Sequence, residues 1–164
     1  MEPGALASTR QLSATPLEPA TLARWEHAMR SARAARELGQ LRLAAACQHQ
    51  ALALSLRLLE QAPPPGREDD CVAALVVSHL NLADLQAQAA ALDDAAQLLC
   101  RAHALLLGLM ADARHGTPLR QAAWRHSRET HAALLQHLRA HGPHPAISKT
   151  LAAAQEAHTA GLPH

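Results

Sequence analysis

The sequence predicts an all-α protein of about six antiparallel helices, paired into three stacked helical hairpins that form an α-α superhelix. Three observations point there. Ala and Leu dominate the residue pool while Phe and Tyr are absent and Ile147 is the only Ile, so residues that favour strands are scarce and the best helix formers abound. Asn81-Leu82-Ala83, then Ala90, Leu92, Ala95, Leu99 and Ala102, place small residues where two helices cross closely and bulky ones beside them. Ala32, Gly39, Leu41, Ala44 and Ala51 form a fainter earlier copy. Neither hairpin buries its apolar face alone, so stacking is required. Trp25 and Trp124 are the expected large aromatic anchors.

Each element has its own local cause. Residues 1–17 mix Pro, Gly, Ser and Thr without periodicity and read as a mobile arm. A first helix runs from about Pro19 to Leu38, with Pro tolerated in the initial turn and Gly39 suited to the exit. A second, Leu41 to Gln61, carries Leu41, Ala44, Ala45, Ala51, Leu52, Leu56 and Leu59 on one broad stripe. Pro63-Pro64-Pro65-Gly66 ends it by removing donors. Glu68, Asp69 and Asp70 open a third helix, where negative charge suits the positive end of the helix dipole. It continues to about Ala89, and its partner spans Leu92 to Asp112. Thr117 then Pro118 read as N-cap and first helical residue of a fifth helix reaching Ala140. After Gly142-Pro143-His144-Pro145 a sixth helix covers Ala146 to Ala160, and 161–164 is a tail. One helical domain over 18–160 results.

The stretches Ser78-His79-Leu80-Asn81-Leu82-Ala83-Asp84, Leu99-Cys100-Arg101-Ala102-His103 and His141-Gly142-Pro143-His144-Pro145 resemble tetratricopeptide-repeat-like (TPR-like) helical proteins. They are most similar to a short, uncharacterised bacterial family of that architecture, and the repeat likeness covers roughly residues 22–112. Two departures matter. Gly39 and Ala90 lie 51 residues apart where the consensus period is about 34. Consensus aromatic positions hold His79, Gln86, Ala35 and Gln48, which predicts looser or locally polar packing.

The resemblance implies a right-handed stack with a concave groove lined by Glu26, Met29, Arg33 and Arg36 of the first helix and by Leu80 and Asp84 of the third. Such a groove anchors a peptide or helix by burial and orients it by charge. The expected function is therefore a non-enzymatic protein–protein interaction adaptor or scaffold, with a homo-oligomer allowed. Asn81, Leu82 and Ala83 are structural, and so is His79, which falls on the stripe of Val72, Leu75, Val76 and Leu82 and reads as a core imidazole.

The alternative function is a His-rich protein binding zinc, nickel or copper. His137 and His141 share a helix face at four-residue spacing and His144 follows at the turn, an arrangement open to a divalent metal. The Glu of a hydrolytic metal helix is missing between them. No phosphate loop or nucleophile elbow occurs, and Asp69-Asp70 and Asp93-Asp94 are explained as helix-start charges, so no catalytic residue and no cofactor is assigned.

Charge and hydropathy narrow the partners. Fifteen basic residues balance 14 acidic ones for a net charge of +1, without the basic face that neutralises phosphates, so nucleic acid is not expected. Apolar runs such as Val72 to Val77 fall far short of the ~20 residues that span a bilayer. Three widely spaced Cys suit a reducing compartment, and the expected location is the cytoplasm.

Overall fold

The computed structural model describes residues 19–160, and among them no strand occurs. Residues 1–18 and 161–164, which contain the expected arm and tail, lie outside the described residues. Six helices follow in order: α1 Leu22–Glu37, α2 Leu41–Glu60, α3 Glu68–Gln88, α4 Leu92–Ala111, α5 Thr117–His141 and α6 Pro145–Ala160.

Their ends follow from local chemistry. Thr21 caps α1, its hydroxyl accepting from the Arg24 N–H at 3.2 Å. Thr117 is the first residue of α5, one place later than a cap, and Gly116 takes the cap position without a side-chain bond. Gly142, at φ 88°, closes α5 and sends the chain into Pro143 and Pro145.

The α1–α2 and α3–α4 turns are the same object built twice. Gly39 N–H donates to Arg36 C=O and Gln40 N–H to Ala35 C=O; Ala90 N–H donates to Ala87 C=O and Ala91 N–H to Gln86 C=O. Both are six-to-one and five-to-two closures around a left-handed residue, Gly39 at φ 71° and Ala90 at φ 60°. The two closing bonds at Gly39 thus recur at Ala90, and the first turn adds a Leu41 N–H to Gly39 C=O bond. Ala90 carries a Cβ in a conformation that costs an L-residue about 1 kcal/mol or more, and it is exposed, so its methyl packs little. Ala90→Gly should raise stability by about 1 kcal/mol. Chemical denaturation checks this, and an unchanged or lower midpoint contradicts it.

The helices stack so that α3 is central, packing on α2, α4 and α5 and more lightly on α1. It is accordingly the most buried, hiding Cys71, Val72, Ala74, Leu75, Val76, Ser78, His79, Leu82 and Ala83. α1 buries only Ala28, Ala32 and Ala35, so its hold on α2 depends on close backbone approach. α6 lays its length mainly on α4 and touches α5 only sparsely. Its Ile147 enters a cluster with Ala83, Ala95, Ala96, Leu99 and Leu134.

Two aromatic anchors were expected and one is found. Trp25 packs beside Ala28, Ala51, Leu54 and Leu58, and its indole N–H donates to the buried Ser78 hydroxyl at 2.8 Å. Trp124 is 48% exposed. Ala122 and Ala123 take the buried face of α5, and the next residue is carried about 100° round the helix to the outside. Local polarity appears at two of the four consensus aromatic places: His79 and Gln48 are buried, whereas Gln86 is half-exposed and Ala35 packs closely.

Candidate functional site

Two apolar recesses flank α4 on different sides. The first is a trough of 620 Å³ between α2, α3 and α4, walled by Leu56, Leu59, Leu75, Leu105 and Leu109. Gly108 leaves one wall open, since a Cβ there would meet nothing within 4 Å. Arg101 stands toward one end, and Glu60 and Asp112 mark the other. Eleven residue steps lead from Arg101 to Asp112, the cap of α4, about 16 Å along the helix axis. Arg114 donates to both Asp112 carboxylate oxygens and holds that carboxyl well below the usual range, so Asp112 stays ionised in acid.

The second recess is a cleft of 760 Å³ between α4, α5 and α6, lined by Leu107, Leu151 and Ala154 with Trp124, Arg128 and His131 along α5. His103 forms its inner wall. The His103 Nδ1–H donates to the Thr130 hydroxyl at 2.8 Å, which in turn donates to the Ser127 carbonyl at 3.0 Å. On α4, Arg101, Leu105, Gly108 and Asp112 recur at three- and four-residue steps on one face, while His103 and Leu107 fall nearly opposite.

The residues expected in a concave groove do sit on neighbouring helices, because α1 and α3 touch and the Arg36 guanidinium donates to Gln88 at 2.8 Å. Met29 is half-buried in the α1–α2 core, and Leu80 is half-buried between the other two clusters. Glu26 lies 3.9 Å from Arg30, Arg33 bonds Glu37 at 3.0 Å, and Asp84 is exposed. The trough and cleft went unanticipated. Gly108 inside a helix and the Trp124/Arg128 pair at four-residue spacing were the available signals.

A family model described as a protein of unknown function, DUF2753, matches residues 23–162, most of the chain. The chain belongs to the DUF2753 family. No curated protein and no solved structure matches it.

In this DUF2753 chain His79 and the group of His137, His141 and His144 stand apart from the other His residues. His79 is wholly buried, and its Nδ1–H donates to the Leu75 carbonyl at 2.8 Å. Leu82 and Ala83 are buried beside it and Asn81 is half-buried. Burial pushes the His79 imidazole below its ordinary pKa; the Leu75 carbonyl pulls it partly back and the Arg101 cation adds to the fall. His137, His141 and His144 are brought together, with the His137 ring centroid 4.7 Å from that of His141 and 6.4 Å from that of His144. His144 Nε2 lies 3.1 Å from an Asp93 carboxylate oxygen, tying the α5–α6 turn to the start of α4. Burial lowers the pKa of His137, helped by its two His neighbours. Among the described residues no group of three or more His, Cys, Asp or Glu side chains is placed to hold a metal ion.

Two further features frame this family member. Asp69 joins α3 to α5 through Arg125 at 2.7 Å and His126 at 3.3 Å, and the Arg125 hydrogen bond holds its carboxyl below the usual range. Among the described residues no helix is long and apolar enough to cross a membrane.

Proposed function

We propose that the chain is a non-enzymatic adaptor with TPR-like stacking that docks an amphipathic helix of a partner protein in the trough between α2, α3 and α4. The carrying observation is the aliphatic trough with Arg101 toward one end and Glu60 at the other, where Asp112 is already held by Arg114. Its length matches about three turns of a guest helix. Leu side chains at i, i+3, i+4 and i+7 of the guest face Leu56, Leu59, Leu105 and Leu109, an acid meets Arg101, and a base meets Glu60. Burying several such side chains offsets the ordering cost of association and yields an affinity of order ten micromolar, about 7 kcal/mol. The α1–α3 face of Glu26, Met29, Arg33, Arg36, Leu80 and Asp84 is the weaker candidate, because its Arg side chains are spent on Glu37 and Gln88 and its apolar members are packed inward. The free thiols Cys47, Cys71 and Cys100 suit work in the cytoplasm.

Gly108 provides the test. Gly108→Ala adds a methyl group into open space, should stabilise α4 by about 1 kcal/mol and keep docking. Gly108→Trp projects an indole into the trough and should weaken a labelled 18-residue amphipathic helix, acidic at one end and basic at the other, by at least about tenfold. Fluorescence anisotropy reads both. Equal affinity for wild type and the Trp variant ends this reading.

A further inference from the structure

The geometry points to a second docking site, chemically unlike the trough: the α4–α5–α6 cleft takes an acidic, apolar-anchored segment of a partner protein, with Trp124 and Arg128 as the recognising pair. Trp124 leaves nearly half of its surface in water, although α5 has buried places that a smaller residue fills. Its ring is covered by the Arg128 guanidinium, 4.4 Å from the ring centroid. That stacking holds both side chains in one conformation before a ligand arrives, which lowers the ordering cost of binding. Trp and Arg are also the side chains most often found to dominate binding energy.

Charge selects the partner. Among the described residues that line the cleft, Arg128 carries the charge, His131 and His103 are polar, and none is a carboxylate; on its other side Trp124 borders a smaller recess that holds Arg120. The remaining walls, Leu107, Leu151 and Ala154, are aliphatic. An apolar side chain of the guest enters between Leu107 and Leu151, and a neighbouring Asp or Glu reaches Arg128, whose fork of donors accommodates a carboxylate while its plane stays on the indole. Because His103 and Leu107 face away from Arg101, Leu105 and Gly108 on α4, this site stands independently of the trough. Occupied together, the two recesses make α4 the wall shared by two guests.

Three labelled peptides test the proposal: one with two Leu four residues apart flanked by Glu, one with the Glu replaced by Lys, and one with the Leu replaced by Ser. The first should bind and change Trp124 fluorescence, with affinity falling as salt is raised, and the other two should bind at least about tenfold more weakly. Arg128→Glu, on an exposed position, should weaken the acidic peptide at least about tenfold and favour the Lys peptide, with circular dichroism unchanged. Gly108→Trp should leave acidic-peptide binding intact. The proposal is overturned by absence of acidic-peptide binding, by equal binding of the Ser peptide (a plain cationic patch), by an unaffected Arg128→Glu variant, or by loss of binding in Gly108→Trp, which would assign the peptide to the trough.

Discussion

Leu134→Ala is expected to cost about 3–5 kcal/mol, the upper part of the range for large-to-small core changes. Leu134 is fully buried where α5 meets the α4–α6 layer, in a cluster whose other buried members are Ala83, Ala95, Ala96, Leu99 and Ile147. Alanine side chains have no rotamers with which to refill a cavity, and helices already in close contact cannot approach further. The void therefore persists and its full cost is felt. In a domain of this size the melting temperature should fall by roughly 10 °C. Leu38→Ala is the control: Leu38 is 73% exposed, and its loss should be nearly neutral. Urea denaturation of both variants checks the contrast, and a Leu134 penalty under about 1 kcal/mol contradicts this packing.

The second large effect is at His79. His79→Ala should cost about 2–4 kcal/mol by opening a cavity in the centre of the stack. His79→Leu should be neutral or stabilising, because the imidazole's bond goes to a carbonyl of its own helix and its buried Nε2 has no hydrogen-bond partner among the described residues. The two variants also separate packing from charge. The folded-state pKa values of His79 and His137 are both lowered, so the unfolded chain, titrating near 6.5, takes up protons that the folded chain refuses. Their stabilising contribution is complete above about pH 6.5 and is lost as pH falls toward 5. Denaturation at about pH 7.5 and about pH 5 should show wild type losing stability, and His79→Leu losing less. Parallel losses in the two proteins would remove His79 from the acid response.

Much of the fold is written locally. Helix ends are legible where Pro63-Pro64-Pro65, Gly39 and Gly142 each impose a backbone geometry, and equating Gly39 with Ala90 anticipates the duplicated turn; the start of the first helix, expected near Pro19, lies at Leu22 because Thr21 supplies the cap. The buried imidazole of His79 is legible because it occupies an apolar stripe. The approach of His137, His141 and His144 follows from helical spacing plus a turn, but whether three donors share a focus depends on rotamers that spacing does not set. The seat of α6 on α4 is non-local, since a Pro-rich turn allows several exit directions. Trp124 misled for a related reason: large aromatics are usually buried, yet its phase on α5 is fixed by Ala122 and Ala123. The trough escapes a linear reading because it is the space left where α2 and α4 stand apart over Leu75.

Heteronuclear NMR of the labelled protein, titrated with the bipolar amphipathic helix, tests the central claim most directly. The account predicts shifts concentrated at Leu56, Leu59, Leu105, Gly108 and Leu109, saturating at one helix per chain. Shifts centred on Arg33, Arg36, Leu80 and Asp84, or a spectrum unchanged at saturating peptide, would contradict it.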